Sequence, residues 1–173
     1  KQNAIQTRDS AQDVLAVAAV GADALVQLVR VRGGKMLEAE SHWLPGDGQE
    51  ERPRIFSSFL TQYYEEGETI PPEILVGEEM EDAEELARWL RERRGGAVRL
   101  ACPQRGEKRA LVLIAEKNAR DAIAKKLAET ARREERTSGA AAALARALNL
   151  PETPRRIEGF DISHISGTLT VAS

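Results

Sequence analysis

One carboxylate stands in an otherwise apolar run near the end of the chain. Residues 155–173 are RRIEGFDISHISGTLTVAS, and Asp161 occupies the middle of a strand-like stretch. Carboxylate oxygens are ligands that Mg²⁺ and Mn²⁺ prefer, because both are hard cations. The alternative is an aspartate that ends a strand or forms a turn. The residue type alone leaves both interpretations open.

Basic side chains cluster in a second segment, PQRGEKRA, where Arg105, Lys108 and Arg109 surround the predicted start of a helix. Unpaired N–H groups and the helix dipole make such a terminus favourable for phosphate. We therefore predict a nucleic-acid contact here, to which Arg155 and Arg156, just before the Asp161 strand, could add. The alternative is an exposed charged loop that binds no ligand.

Composition limits the remaining possibilities. The 173 residues suffice for one ordinary domain, alone or with part of another, and 42% hydrophobic with 31% charged residues indicates a globular protein. The net charge of −3 is unusual for a free-standing nucleic-acid binder, although residues 93–136 are richer in Lys and Arg than residues 47–92. Because the chain starts at Lys1 and not at Met, we expect it to be a piece of a longer protein.

The single cysteine excludes an internal disulfide and a Cys-based zinc site. Cys102 lies in a predicted buried strand, so we expect it to be inert packing. No apolar run approaches the ~18–20 residues that cross a bilayer, and no secretory signal is visible. These features predict a cytoplasmic protein without a membrane span.

Hydrophobic patterning predicts the order β-β-β-α-β-α-β-α, followed by one more β-hairpin. Three strands from residue 13 are joined at Gly21 and at Gly33-Gly34. Alternating helices and short apolar strands follow, including a helix with one apolar face made of Ile55, Phe56, Phe59, Leu60 and Tyr63. A later helix, DAEELARWLRERR, ends at Gly95 and places Trp89 on its apolar side, where we expect core packing.

A long helix is predicted over residues 107–133. Its apolar face is made of Leu111, Ile114, Ala115, Ala119, Ala122, Ile123 and Leu127. The segment RREERTSG is expected to interrupt it, and AAAALARALNL forms a further helix closed by Asn149. This order predicts an α/β fold of the RNase H-like kind: three antiparallel strands, then α-β-α-β, with a helical extension and a terminal β-hairpin. A ferredoxin-like variant is the alternative.

Three segments, FDISH, PQRGEKR and PPEILV, resemble the UvrC family of bacterial nucleotide excision repair in sequence and spacing. The resemblance runs from about residue 13 to residue 173. It implies a linker at 1–12, a catalytically inactive RNase H-like domain at 13–133, a helical connector at 134–154, and at 155–173 the first two strands of the RNase H-like endonuclease domain that makes the 5′ incision. It also implies damaged DNA and UvrB as partners.

The resemblance implies that Asp161 is a catalytic residue and a ligand of a two-metal site for Mg²⁺ or Mn²⁺. The family's further Asp and its functional His lie downstream of residue 173, so His164 is interpreted as a turn or packing residue. Glu158 could be a second ligand, but it has the wrong parity for the same strand face. We therefore expect the chain alone to hold no metal and to be inactive.

A coarse self-alignment places the first hairpin over the last one, with Ala18 opposite Asp161. The first copy of the fold would then lack the metal-bridging carboxylate and act as a scaffold. Its other acidic residues, Glu38, Glu40, Asp82 and Glu84, are interpreted as solvated charges or helix-dipole partners, and His42 as structural. The alternative is a DNA- or protein-interaction module that docks UvrB or the other half of the enzyme.

Overall fold

A computed structural model describes residues 11–158, 162–165 and 169–172. The chain divides into two compact units, and the boundary between Lys126 and Leu127 falls inside a long helix. The first unit carries a five-stranded sheet, and the second carries a two-stranded sheet.

The first unit opens with an antiparallel meander of β1 (Gln12–Val20), β2 (Asp23–Arg32) and β3 (Lys35–Leu44). Gly33 and Gly34 join β2 to β3 with φ values of 58° and 74°. A two-residue hairpin turn of this hand needs positive φ at both positions, which glycine adopts at low cost. The predicted meander is confirmed.

Helices and parallel strands follow: α1 (Arg52–Glu65), β4 (Glu73–Val76), α2 (Ala83–Arg94), β5 (Arg99–Ala101) and α3 (Gly106–Glu134). β4 pairs parallel to β1 and β5 pairs parallel to β4, so the sheet order is β3-β2-β1-β4-β5. This mixed sheet confirms the RNase H-like α/β prediction. It argues against the ferredoxin-like alternative, whose element order is β-α-β-β-α-β.

The core has two layers, one on each face of the sheet. The apolar face of α1 is buried, as predicted, and it packs with α2 on one sheet face, where Leu28 and Ile74 are buried. On the other face, Val14 and Leu75 pack against Val112 and Ala115 of α3. Burial on both faces explains why β4 has the continuous apolar run ILV.

The predicted apolar face of α3 requires a correction. The buried stripe of this helix is Val112, Ala115 and Ala119, whereas Ile114 is 37% exposed and Leu127 is 52% exposed. The narrow sheet covers only one row of the helix at i, i+3 and i+7 spacing, and two small alanines in that row allow a close approach. Leu111 packs partly buried against the same core, and Ala122 and Ile123 are partly buried, so the prediction is wrong at Ile114 and Leu127.

The second unit begins with the end of α3, followed by a π-helical turn (Glu135–Gly139) and α4 (Ala140–Ala147). The predicted interruption at RREERTSG is thus a π turn in a chain that stays helical. As predicted, Asn149 closes α4: its φ of 49° is left-handed, and Leu150 N–H donates to the Ala145 carbonyl at 2.9 Å.

The terminal hairpin consists of β6 (Ile162–Ile165) and β7 (Leu169–Ala172), which pair antiparallel with His164 opposite Thr170. The predicted turn at Ser166-Gly167 lies outside the described residues. Across the described parts of the chain, no helix has the length and apolar character needed to cross a membrane.

Candidate functional site

The predicted metal ligand Asp161 lies outside the described residues, directly before β6. Its role therefore stays a prediction. Glu158, the predicted possible second ligand, accepts from Arg156 Nη2 at 2.6 Å in an exposed ion pair. Within residues 11–158 and the two described strands of the hairpin, no group of three or more His, Cys, Asp or Glu side chains could hold a metal ion.

In the first unit, β1 and β4 run parallel and end at the same edge of the sheet, where α/β proteins commonly place ligands. Ala18 lies near the end of β1, opposite Leu25 of β2. Gly77 follows β4, and a Cβ built on it would lie 3.6 Å from Glu116 Oε1 of α3. Neither Ala18 nor Gly77 carries a carboxylate that could bind a metal.

Glu116 is already engaged in an ion pair, with Arg109 Nη1 3.0 Å from its Oε1. Two further carboxylates near this edge are also engaged. Glu78 accepts from Arg52 at 2.8 Å, and Asp82 accepts from the Ser57 hydroxyl at 2.7 Å. Among the residues that the structure describes, this edge therefore holds ion pairs and hydrogen bonds and no cluster of metal-binding side chains.

The acidic residues of the first unit divide into two groups. Glu84 lies in the first turn of α2 and is exposed, as a partner of the helix dipole would be. Glu38 and Glu40 of β3 instead pair with Arg30, each at 3.0 Å. Glu38 is exposed, as expected for a solvated charge, and Glu40 is partly buried. The structure adds that both are ion-pair partners of a cation on the neighbouring strand.

The basic cluster at the start of α3 is largely neutralised. Lys108 Nζ lies 2.6 Å from Glu73 Oε1, and Arg109 is held by Glu116. Arg105 is exposed, and among the described residues it has no ion pair. In the second unit, Arg155 and Arg156 are both exposed. The phosphate contact stays a prediction, and Arg105 is the exposed member of the cluster at the start of α3.

Glu73, at the start of β4, joins three elements. It accepts from Gln12 Nε2 of β1 at 2.6 Å as well as from Lys108 of α3, and Arg99 of β5 lies 3.9 Å away. Gln12 belongs to β1, one residue before the predicted start of that strand. Sequence reasoning missed the role of Glu73, for which the signal was a carboxylate opening a short apolar strand.

Asp13 is a second residue that sequence reasoning missed. Its side chain is 1% exposed, and it accepts from Tyr64 Oη at 2.7 Å and from Arg32 Nη1 at 2.8 Å. Burial, and then the neighbouring Asp13, raise the pKa of Tyr64 well above its usual range, so the hydroxyl stays protonated and donates. The signal was a carboxylate at the start of an apolar strand.

Three other predicted roles can be placed in the structure. Cys102 directly follows β5 and is partly buried; burial, then the charge of Glu79, raises the pKa of its thiol, which fits an unreactive packing residue. Trp89 packs partly buried against the core. His42 packs against Phe59 and Tyr63, with ring centroids 5.0 and 5.5 Å apart.

Two family models match the chain: UvrC Ribonuclease H-like domain over residues 11–126, and UvrC RNAse H endonuclease domain over residues 145–173. The chain belongs to the UvrC family. The first match ends at the same residue as the compact five-stranded unit. The predicted limits of the linker, the domains and the connector stay predictions.

Curated relatives align along nearly the whole chain. The UvrABC system protein C of Alkaliphilus metalliredigens is 35% identical over 100% of this chain and 28% of its own length. The corresponding proteins of Symbiobacterium thermophilum and Clostridioides difficile are 40% and 39% identical, over 93% and 95% of this chain and 26% and 27% of theirs. The chain thus spans little more than a quarter of the length of these UvrC relatives.

Among solved structures, a Bacteroides thetaiotaomicron protein with an actin-like ATPase fold aligns at 18% identity and a TM-score of 0.35. The alignment covers 63% of this chain and 40% of that one, and the similarity is too low to inform the fold.

Proposed function

We propose that this chain acts as the corresponding part of a UvrC incision subunit in nucleotide excision repair. In this proposal Asp161 is a catalytic residue of the RNase H-like endonuclease that cuts on the 5′ side of a lesion. The observation that carries the proposal is the match of residues 145–173, which include Asp161, to the UvrC RNAse H endonuclease domain. Damaged DNA is the substrate.

The proposed cofactor is a pair of Mg²⁺ or Mn²⁺ ions held in part by Asp161. Such ions activate the attacking water and stabilise the leaving oxygen of the phosphodiester. The described residues do not complete that site. Glu158 is paired with Arg156, and no cluster of three or more candidate ligands is present among these residues. Further ligands besides Asp161 are therefore required.

The incision role is tested with Asp161→Asn in a UvrC protein that carries this chain, assayed with UvrA, UvrB and lesion-containing DNA. We expect the 5′ incision rate to fall at least ~100-fold, because loss of a metal ligand removes charge stabilisation in the transition state. The incision on the 3′ side of the lesion, which the UvrC family makes with a separate N-terminal nuclease domain, should remain. Asp121→Asn is the matched control, because Asp121 is an exposed partner of Lys117. Unchanged 5′ incision in Asp161→Asn would refute the assignment.

We further propose that the 173-residue chain alone does not hydrolyse DNA, because one aspartate cannot hold two metal ions. Incubation with Mn²⁺ and bubble DNA should give no product above background. Cleavage that disappears in Asp161→Ala would overturn this proposal, whereas cleavage that persists would indicate a contaminating nuclease.

The first unit is proposed to be a non-catalytic scaffold. Support comes from Ala18 and Gly77 at the ends of β1 and β4, and from the pairing of nearby carboxylates. Replacement of Glu78 and Glu79 by Gln should leave both incisions within about twofold of the unmodified protein, since neither residue would ligate a metal. A 5′ incision reduced as strongly as in Asp161→Asn would contradict the scaffold role.

An interaction role is the second candidate, and the exposed Arg105 at the start of α3 favours it. Arg105→Ala should weaken duplex binding, and Glu116→Gln should strengthen it by releasing Arg109 from its ion pair. Arg88→Ala, an exposed arginine on α2, is the charge-matched control. Titrations at about 50 and 200 mM salt should show weaker binding at the higher concentration. Equal affinities for Arg105→Ala and the control would refute a DNA contact at Arg105.

UvrB is proposed as a partner because the relatives are components of the UvrABC system. A cytoplasmic location is proposed on the basis of the free Cys102, which suits a reducing compartment. Incision that does not depend on added UvrB would contradict the first statement.

A further inference from the structure

The outer edge of β3 is an open strand edge. Within the described chain, β3 is hydrogen-bonded to β2 on one side and has no strand on its other side. Edge strands expose unpaired N–H and C=O groups, and proteins commonly blunt them with bulges or charges. Here the register shifts between Arg30 and Val31, which leaves Leu37 as an extra, 67% exposed residue.

The bulge affects only the first part of the strand. From Glu38 to Leu44 the pairing with β2 is regular, so seven consecutive residues present an undistorted edge. This length is sufficient for an added strand, because strands in globular proteins are commonly about five to six residues long. The regular part of β3 is therefore a suitable template for strand addition.

A groove of about 550 Å³ lies between this part of β3 and α1. Its floor is aromatic: Phe59 and Tyr63 stack at 5.3 Å, and His42 packs on both rings. Its rim is acidic, with Glu40, Glu66 and Glu68 among the lining residues and no lysine or arginine. Of the lining aromatic residues, Trp43 already has a cation on its ring, with Lys126 Nζ 3.9 Å from the centroid. Aromatic rings beside carboxylates are the surroundings that cationic side chains favour.

The negative charge of the groove exceeds what the chain itself neutralises. Arg30 pairs with Glu38, Glu40 and Glu68, at 3.0, 3.0 and 3.1 Å, and also contacts the Tyr63 hydroxyl. One guanidinium thus serves three carboxylates, and the ring of His42 adds a contact to one of them, with Nε2 3.1 Å from Glu40 Oε2. Glu66 accepts a hydrogen bond from Gln62, and in the described chain it has no ion pair.

We propose that the β3 edge and this groove bind an extended basic segment of a partner protein as an added strand. Backbone groups of the segment would pair with β3 between Glu38 and Leu44. Because side chains alternate along a strand, lysines or arginines at every second position would face the groove, and apolar residues between them would face the other side. A second copy of this chain is disfavoured, because pairing two β3 edges would place two acidic grooves side by side and would add no lysine or arginine to either of them.

The probe is a capped ten-residue peptide of alternating Lys and Val, titrated against the full chain by fluorescence anisotropy. We expect saturable binding that weakens as salt rises. The double change Glu66→Gln with Glu68→Gln should reduce the affinity about threefold to tenfold, as expected for two partly exposed charge pairs. Its matched control is Glu84→Gln with Glu85→Gln, which removes the same charge from an exposed part of α2.

Two further peptides separate strand pairing from simple charge attraction. A Glu-Val peptide of equal length should not bind. A Lys-Val peptide N-methylated at alternate residues keeps its charge but loses backbone donors, so its affinity should fall by at least about tenfold.

Three outcomes would overturn the proposal: no binding of the Lys-Val peptide, equal binding of the N-methylated peptide, or equal effects of the two double changes. Dimerisation of the chain through β3 would overturn the choice of occupant. None of these results depends on incision, so the roles proposed for Asp161 are tested separately.

Discussion

The most buried charge in the described chain belongs to Asp13, and its environment shows how a carboxylate is tolerated inside an apolar strand. A buried carboxylate is costly unless hydrogen bonds replace its water. Tyr64 and Arg32 supply those bonds from α1 and β2. One side chain thereby joins β1 to a helix and to a neighbouring strand. Its place at the start of an apolar strand therefore reflects a structural role.

Tyr64→Phe tests this linkage. The change leaves a buried oxygen of Asp13 without its donor, so we expect the free energy of unfolding to fall by about 1–3 kcal/mol. Urea denaturation at neutral pH gives the measurement. Tyr63→Phe is the control; its hydroxyl contacts the partly exposed Arg30, and its removal should cost less. A Tyr64→Phe chain as stable as the unmodified one would show that the linkage contributes little.

The pH dependence of stability gives a second test of Tyr64. Its pKa is raised in the folded chain, so above about pH 10 the unfolded chain loses a proton that the folded chain keeps. The contribution of Tyr64 is therefore complete below about pH 10 and is lost as pH rises further, by up to ~1.4 kcal/mol per pH unit. Between about pH 9 and about pH 11, stability should fall less steeply in Tyr64→Phe than in the unmodified chain. Equal slopes would contradict the raised pKa.

At the scale of elements, turn geometry sets how the meander meets the rest of the first unit. A short 3₁₀ turn (Asp47–Gln49) follows β3 and folds back onto the β1–β2 turn, where Gly48 N–H donates to the Ala22 carbonyl at 2.9 Å. A Cβ on Gly48 would lie 2.6 Å from the backbone carbon of Ala22. The absence of a side chain at Gly48 is therefore a packing requirement.

Gly48→Ala should destabilise the chain by about 1–3 kcal/mol, because backbone atoms must move to admit the methyl group. Gly96→Ala is the control, since its nearest neighbour is the flexible end of the Arg94 side chain at 3.2 Å. Its effect should stay within about 0.5 kcal/mol. Thermal unfolding of both variants measures the difference. Equal melting temperatures would contradict the close contact at Gly48.

At the scale of the whole molecule, the two units differ in how much of their chain is buried. The sheet of the first unit is covered by helices on both faces. In contrast, every residue from 124 to 140 is exposed, and a π-helical turn lies in that stretch. Segments with few buried apolar contacts open locally at low free energy.

Limited trypsin digestion should therefore cut first after Arg132, Arg133 or Arg136, and should release a product that retains the five-stranded unit. Mass spectrometry of the earliest products identifies the cut. Replacing these three arginines by Gln should slow the first cleavage. Initial cleavage inside the sheet unit, for example after Arg54 or Arg105, would contradict this expectation.

Much of the fold follows from short-range patterns. Alternating apolar residues, the Gly33-Gly34 turn and the apolar face of α1 are local signals, and each one predicted its element correctly. The order of elements then favoured an RNase H-like sheet over the ferredoxin-like alternative, because consecutive strands tend to be neighbours and parallel strands need a helical crossover. The segments FDISH and PQRGEKR identified the family for the same reason: they are contiguous in the chain.

Only the tertiary structure decided which charged side chains are paired inside the chain and which are exposed to a ligand. Asp13 meets Tyr64, Glu73 meets Lys108, and Glu116 meets Arg109 beside Gly77. Most of these partners are distant in sequence, so no local sequence pattern predicts the contacts between them. The same limit explains the error on α3, whose apolar residues outnumber the positions that a narrow sheet can cover. Local sequence determines which elements form, whereas packing determines which of their side chains remain free to bind.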